Sequence, residues 1–173
     1  MDETIVNRVT KSPLVTLELE KYYHSGERIL IDLKEILFQG MILREKDFRE
    51  WAKTHDWSQY KDKNVAVHCT ADAIIPTWAY MLIATKAEAF CNMIVQGDLD
   101  RLETMLFHEA ISKIDLEDYK DKMVVVKGCS KVEVPASAYL EISRKLYPIS
   151  KSIMYGEPCS TVPVYKRPKK QNS

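Results

Sequence analysis

The stretch that decides the fold is a repeat: YKDKNVAVHCTADAIIPTWAYMLIATKAEAFCNMIVQGD at residues 60–98 and YKDKMVVVKGCSKVEVPASAYLEISRKLYPISKSIMYGE at residues 119–157. The two copies align without a gap, and 13 of their 39 positions are identical. The shared YKDK, the proline that precedes a common Ala-Tyr pair, and the glycine near the end favour an internal duplication over chance similarity.

Each copy predicts a β-α-β unit. The apolar runs Asn64–His68 and Met123–Lys127 are typical of buried parallel strands. Apolar residues at three- and four-residue spacing then predict helices over 76–90 and 135–147, each with a proline in its first turn. The second strands of the copies are predicted at Met93–Gln96 and Ser152–Tyr155.

The remaining chain is expected to complete a single α/β domain over residues 1–165. A helix is predicted between the copies at Leu99–Ile114, and residues 1–58 contribute further elements. Those elements are two strands, Leu14–Leu19 and Arg28–Leu33, and an amphipathic helix, Arg44–Thr54. The basic tail, residues 166–173, is predicted to be disordered.

Alternating strands and helices predict a mostly parallel sheet with helices on both faces. If a pseudo-twofold relates the copies, the central strand order is 2-1-3-4 and the first strands of the copies are neighbours. Ligands in such sheets bind beyond the carboxyl ends of the strands, where the strand order reverses.

Three cysteines are predicted at that edge of the sheet. Cys69 ends the first strand of the first copy, Cys129 follows the corresponding strand of the second copy, and Cys159 follows the last strand. Oxygen and nitrogen donors expected at the same edge are His68, Asp72, Asp98 and Glu157. Three thiolates with a histidine or a carboxylate suit zinc or iron, and three thiolates with an open position suit an iron–sulfur cluster.

Structural roles compete with this interpretation. A cysteine or histidine at a strand end is often packed in the core, and Asp72 and Asp98 are placed to cap the following helices. Cys91, at the end of a helix on the opposite edge, is predicted to be a small buried hydrophobe.

Known catalytic templates match poorly, but a nucleophilic cysteine stays open. The His68-Cys69 pair resembles the start of a phosphatase loop, which requires arginine where this chain has Ile75. A zinc-protease HExxH fails at Ser112, and the glycine-rich nucleotide loops are absent from the sequence. Cys69 or Cys159 is the candidate for a thiolate that carries a sulfur or acyl group.

Charge balance and apolar content indicate which partners and which cellular compartment to expect. Twenty-five basic and 25 acidic residues give zero formal charge, which argues against a nucleic-acid binder. The first residues lack the features of a signal peptide, and the longest apolar run, 73–84, is interrupted and too short for a membrane span. We therefore expect a cytoplasmic protein with reduced cysteines and no membrane or nucleic-acid partner. Met41, Ile42 and Leu43 suggest an exposed apolar edge that suits a homodimer contact.

At HCTADAIIPTWAYML, KGCS and GEPCSTVPVYKR, together with ILREKDF and HDWSQY, the chain resembles an uncharacterised bacterial family, domain-of-unknown-function family 2480, over essentially its full length. The family supplies no activity and no residue roles. Genes of its members lie near those of an iron–sulfur cluster assembly system, so the resemblance implies iron–sulfur assembly proteins as partners.

The leading hypothesis is a cytoplasmic accessory protein that binds a metal or an iron–sulfur species, with assistance to iron–sulfur cluster assembly as its expected role. Cys69, Cys129 and Cys159 would be the thiolate ligands, with His68 or Asp72 as the fourth donor and Glu157 as a supporting group or alternative ligand. The alternatives are an enzyme with a reactive cysteine and a non-catalytic interaction module without a metal.

Overall fold

The computed structural model describes residues 14–127 and 131–168. Along the described chain the strands are β1 (Leu14–Glu18), β2 (Arg28–Asp32), β3 (Asn64–His68), β4 (Met93–Gln96), β5 (Met123–Lys127), β6 (Ser152–Glu157) and β7 (Ser160–Lys166). The α-helices are α1 (Glu45–Thr54), α2 (Thr77–Ala87), α3 (Leu99–Ser112) and α4 (Ala136–Leu146). The helices and strands predicted from the sequence are confirmed within a few residues, while β7 was not predicted.

The chain divides into two compact units. The terminal unit comprises the described parts of Met1–Tyr23 and Phe107–Ser173, and the central unit is His24–Leu106. The first copy of the repeat therefore lies in the central unit and the second copy in the terminal unit. The single domain expected over 1–165 stays a prediction, as does a common origin of the two copies.

The central unit contains a three-stranded parallel sheet in the order β2-β3-β4. Val65 and Val67 on one face of β3 pack in a cluster with Ala79 and Ile83 of α2. Ala66 points to the opposite face, where it packs against α3. The helices therefore cover both faces of this sheet, which explains why β3 is apolar without alternation.

The terminal unit contains a four-stranded sheet in the order β1-β5-β6-β7. The first three strands are parallel, and β7 returns antiparallel to β6 through a tight hairpin. Gly156 adopts a φ of 119°, and a Cβ atom there would lie 2.6 Å from the carbonyl oxygen of Ser160. The hairpin therefore requires glycine at this position.

The fold class is confirmed as α/β with mostly parallel strands, but the strand order 2-1-3-4 is wrong. The first strands of the two copies, β3 and β5, belong to different sheets. β3 lies between β4 and β2, and β5 lies between β6 and β1. Because both edges of each strand are occupied, β3 and β5 cannot pair with each other.

The two N-terminal strands fill equivalent places. Each continues directly into a 3-10 turn, Leu19–Tyr22 after β1 and Leu33–Ile36 after β2. Leu19 and Leu33, which begin these turns, are both fully buried in the core of their own unit. Each unit thus joins one N-terminal strand and turn to one β-α-β copy.

The first residues of the predicted basic tail make defined contacts. Lys166 is the last residue of β7, and the Arg167 guanidinium forms an ion pair with Asp121. Residues 169–173 lie outside the described residues. Within the described ranges, every helix is too short or too polar to reach across a bilayer.

Candidate functional site

The predicted metal ligands fall in two different units. His68 ends β3 in the central unit and Cys69 and Asp72 follow it, while Glu157 and Cys159 lie at the β6–β7 hairpin of the terminal unit. Cys129 lies outside the described residues. The expected strand order, in which β3 and β5 are neighbours in one sheet, is wrong. That the three cysteines come together stays a prediction.

Residues 14–127 and 131–168 contain no group of three or more histidine, cysteine, aspartate or glutamate side chains placed to hold a metal ion. The thiols of Cys69 and Cys159 are free, with Cys69 partly buried and Cys159 exposed. Because Cys129 is not described, the three-thiolate site for zinc, iron or a cluster stays a prediction.

The central-unit candidates are held by local contacts. The Cys69 thiol donates to the carbonyl oxygen of Ala71 over 3.6 Å. The loop beyond it is tied to the end of β2, because the Asp32 carboxylate accepts hydrogen bonds from the backbone N–H (3.0 Å) and the hydroxyl (2.5 Å) of Thr70. Desolvation opposes ionisation of Asp32, but these hydrogen bonds outweigh it and lower its pKa.

The expected helix caps have different outcomes. The Asp98 carboxylate accepts a hydrogen bond of 2.8 Å from the backbone N–H of Arg101, as a cap of α3 should. Asp72 does not cap α2, because that helix begins at Thr77 with Pro76 as its N-cap residue. Asp72 is an exposed loop residue.

Glu157 in the terminal unit is engaged by a cation. Its carboxylate lies 3.1 Å from the ammonium nitrogen of Lys127, the last residue of β5. The hydrogen bond to Glu157 and its negative charge raise the pKa of Lys127. Glu157 is therefore an ion-pair partner of Lys127 in this structure.

Cys91 packs partly buried against the core of the central unit. Burial raises the pKa of its thiol, and the charge of Glu88 acts in the same direction. A thiol with a raised pKa is a poor nucleophile at neutral pH, which agrees with the packing role predicted for Cys91.

One surface concavity was not predicted from the sequence. It is an apolar groove of about 590 Å³ in the terminal unit, between α4 and β7. The residues that line it are Leu140, Ser143, Arg144, Tyr147, Ile153, Val164 and Tyr165. Across the groove the rings of Tyr147 and Tyr165 lie 4.7 Å apart between centroids.

A second cavity continues the same surface. It has a volume of about 340 Å³ and shares Ser143, Ile153 and Val164 with the groove. Its other lining residues include Tyr139 and Tyr155, whose rings meet edge-on at 5.6 Å. The two concavities therefore form one apolar surface over α4, β6 and β7.

The walls of this surface are unusually exposed for apolar side chains. Leu140 is 63% exposed and Val164 57%, and Tyr147 is also exposed. Arg144 supplies a positive charge at the groove. The signal in the sequence was the valine alternation of Thr161–Tyr165, which Pro163 interrupts.

Other exposed apolar residues are more scattered. Met41 and Ile42 are exposed as predicted, at 62% and 58%. The homodimer contact suggested for this segment stays a prediction.

Comparison with known proteins identifies the family but no activity. A family model described as a protein of unknown function (DUF2480) matches residues 3–167, so the chain belongs to that family. Neither the curated proteins nor the solved structures contain a match to the chain.

Proposed function

From the surface chemistry of the terminal unit, we propose that this protein is a non-catalytic interaction module. The α4–β7 groove would receive an apolar segment of a partner protein. The single observation that carries the proposal is the continuous exposed apolar surface around Leu140, Tyr147 and Val164.

Burial of such a surface by a partner is energetically favourable. Contiguous apolar patches on soluble proteins commonly mark interaction sites, since each exposed Å² costs about 25 cal/mol relative to burial. Tyr147 and Tyr165 add rigid aromatic surface with hydroxyl groups, the combination enriched where binding energy concentrates.

The groove also indicates the chemistry of the partner. Its lining is apolar except for Ser143 and Arg144. A partner segment with leucine-, methionine- or phenylalanine-type side chains would fill it, and a nearby carboxylate would suit the Arg144 guanidinium.

Site-specific photo-crosslinking in cells tests this proposal. A photoreactive residue in place of Leu140 should give a discrete protein adduct, which Val164→Asp in the same chain should abolish. Ile74, which is 92% exposed and lies in the loop before α2, is the matched control position and should give no such adduct. The same adducts from positions 140 and 74, or none from 140, would contradict the proposal.

Thiolate-based metal handling is the second candidate function. It is supported by the free thiols of Cys69 and Cys159 and would involve Cys129 as the third ligand. Zinc, iron or an iron–sulfur cluster would be the bound species, and iron–sulfur assembly proteins the partners.

Elemental analysis and an absorption spectrum of protein purified without oxygen distinguish the two candidates. Stoichiometric iron or zinc that disappears on joint replacement of Cys69, Cys129 and Cys159 by serine would support metal handling. Stoichiometric metal in the triple variant would exclude these cysteines as the ligands.

A further inference from the structure

The two units differ at one edge of their sheets. Among the strands of residues 14–127 and 131–168, β4 pairs with β3 alone, whereas its counterpart β6 is covered on the far side by β7. Each residue of β4 has an equivalent residue on β6, because β4 pairs with β3 in the same register in which β6 pairs with β5. Asn64 pairs with Met93 and Val65 with Ile94, just as Met123 pairs with Ser152 and Val124 with Ile153.

An equivalent pair of isoleucines on the two strands differs in exposure. Ile153 on β6 is 2% exposed, whereas Ile94 at the equivalent position on β4 is only partly buried. The backbone of an edge strand carries unpaired N–H and C=O groups, which can accept a further strand.

Matching cavities lie beside the two edges. The central cavity, about 270 Å³, is lined by Val67, Tyr80 and Ile94 among others. The terminal cavity has Val126, Tyr139 and Ile153 at the equivalent positions, and Val164 of β7 forms one of its walls. The central cavity has no counterpart of Val164 among the residues that line it.

A charged anchor holds the end of β7 in place. The Arg167 guanidinium lies 2.5 Å from the Asp121 carboxylate and donates a hydrogen bond of 2.6 Å to the carbonyl of Ile149. Its backbone N–H donates to the carbonyl of Lys151 over 2.9 Å. Together these contacts fix the residue that follows β7 to the turn before β5 and the segment before β6.

The central unit presents the same acceptors. Asp62, equivalent to Asp121, has a φ of 60° against 56°. Its backbone N–H donates to the carbonyl of Phe90 over 2.9 Å, as that of Asp121 donates to Ile149. Asp62 is exposed, and the ion pairs found among residues 14–127 and 131–168 do not include it.

We propose that the β4 edge of the central unit is a docking site for an antiparallel strand of a partner protein, with alternating apolar side chains followed by an arginine that pairs with Asp62. The arginine is specified by charge complementarity, since the edge repeats the acceptors that bind Arg167. This site goes beyond the proposed function, because it lies in the other unit and recognises backbone as well as side chains.

The probe is a fluorescent peptide with the sequence of Ser160–Pro168, STVPVYKRP, added to the full chain. Hydrogen exchange should show new protection at Met93–Gln96. Asp62→Asn should weaken binding of the peptide about two- to fivefold, which is the range for the loss of an exposed ion pair. Asparagine tolerates the left-handed backbone at this position.

Matched variants separate the anchor from general effects. Asp121→Asn, at the equivalent position, should leave the affinity of the peptide unchanged. A peptide with alanine in place of arginine should lose at least as much affinity as Asp62→Asn causes, because the arginine also has a backbone carbonyl as an acceptor. Removing the arginine should cost less affinity in the Asp62→Asn chain than in the natural chain. Leu140→Asp, which would disable the groove of the proposed function, should leave peptide binding intact.

Three outcomes would overturn the proposal. The peptide leaves β4 unprotected, it protects β6 by displacing β7, or Asp62→Asn changes nothing. Concentration-dependent self-association of the chain that protects β4 and is lost in Asp62→Asn would instead assign the edge to a second copy.

Discussion

The central and terminal units contain the same β-α-β segment but finish their sheets differently. In the terminal unit the chain turns at Pro158 and Cys159 and adds β7 to β6, which buries Ile153. In the central unit the chain leaves β4 directly for α3, and no strand of the described residues covers the equivalent edge. The same repeated sequence therefore gives one closed edge with an apolar groove beside it and one open edge.

The comparison also shows which features the repeat itself fixes. Asp62 and Asp121 share a left-handed backbone before the first strand, and Pro76 and Pro135 both precede the helix. These features lie inside the copies. The difference between the two sheet edges comes from the segments that follow each copy.

The largest expected effect tests whether the two helices are equivalent. Ile83 on α2 and Ile142 on α4 are both fully buried. Replacing either by alanine should lower the free energy of unfolding by about 2–5 kcal/mol, because each change removes buried apolar surface and leaves a cavity. Urea denaturation, monitored by circular dichroism, measures this loss in the free energy of unfolding.

The exposed neighbours Met81 and Leu140 serve as matched controls for these two variants. Their replacement by alanine should change the free energy of unfolding by no more than about 0.5 kcal/mol. A loss below about 1 kcal/mol for only one of the two isoleucines would break the equivalence of the units.

A smaller effect tests a feature present in one unit alone. Asn64 is fully buried, and its side chain bonds Asn92 at 2.7 Å and the His24 ring at 3.1 Å, whereas the second copy has Met123 at this position. Asn64→Met should cost about 1–3 kcal/mol of unfolding free energy, because Asn92 and His24 lose their partner.

The double variant Asn64→Met with Asn92→Lys carries the residues of the second copy at both positions, since Lys151 is equivalent to Asn92. It should recover part of that loss in the same urea titration, because the amide left unpaired at position 92 is gone. An unchanged free energy for Asn64→Met would show that the network does not stabilise the central unit.

The smallest effect concerns the closing strand and its dependence on pH. The hydrogen bond and the charge of Arg167 lower the pKa of Asp121 from its ordinary value of 3.8. Because the pKa is lower in the folded chain, this contribution to stability is present above about pH 4 and is lost as the pH falls through the folded-state pKa. The protection factors of the β7 amides, which compare the measured exchange rate with the intrinsic rate at the same pH, should therefore fall at acidic pH.

Asp121→Asn should already show the faster exchange of β7 at neutral pH and respond less to acid. Asp62→Asn, at the equivalent position of the central unit, is the control and should leave the acid response of β7 as it is. Identical pH profiles for the natural chain and Asp121→Asn would show that the ion pair does not hold β7.

Local sequence patterns predicted most of the elements. The apolar run Val65–Val67 has the composition of a strand covered on both faces, and the spacing in α2 and α4 has the period of a helix. β7 was missed because Pro163 interrupts it. Proline is tolerated there because β7 is an edge strand whose outer side pairs with no other strand of the described sheet.

The candidate site was less predictable than the elements. The thiol hypothesis depended on which strands are neighbours, and the insertion of β1 beside β5 and β2 beside β3 changed that. Strand pairing over a hundred residues apart, as between Leu14 and Met123, leaves no local pattern in the sequence. The groove was missed for the same reason, since Tyr147 and Tyr165 meet only once β7 has folded back.

By itself the sequence determined the repeat, the α/β class and the position of nearly every strand and helix, because these depend on hydrophobic periodicity and on glycine and proline at short range. Tertiary structure alone decided which strands share a sheet, which edge β7 covers and which side chains are left exposed. Those outcomes depend on which of several distant segments forms the backbone hydrogen bonds of a given strand. A short sequence pattern does not contain that information.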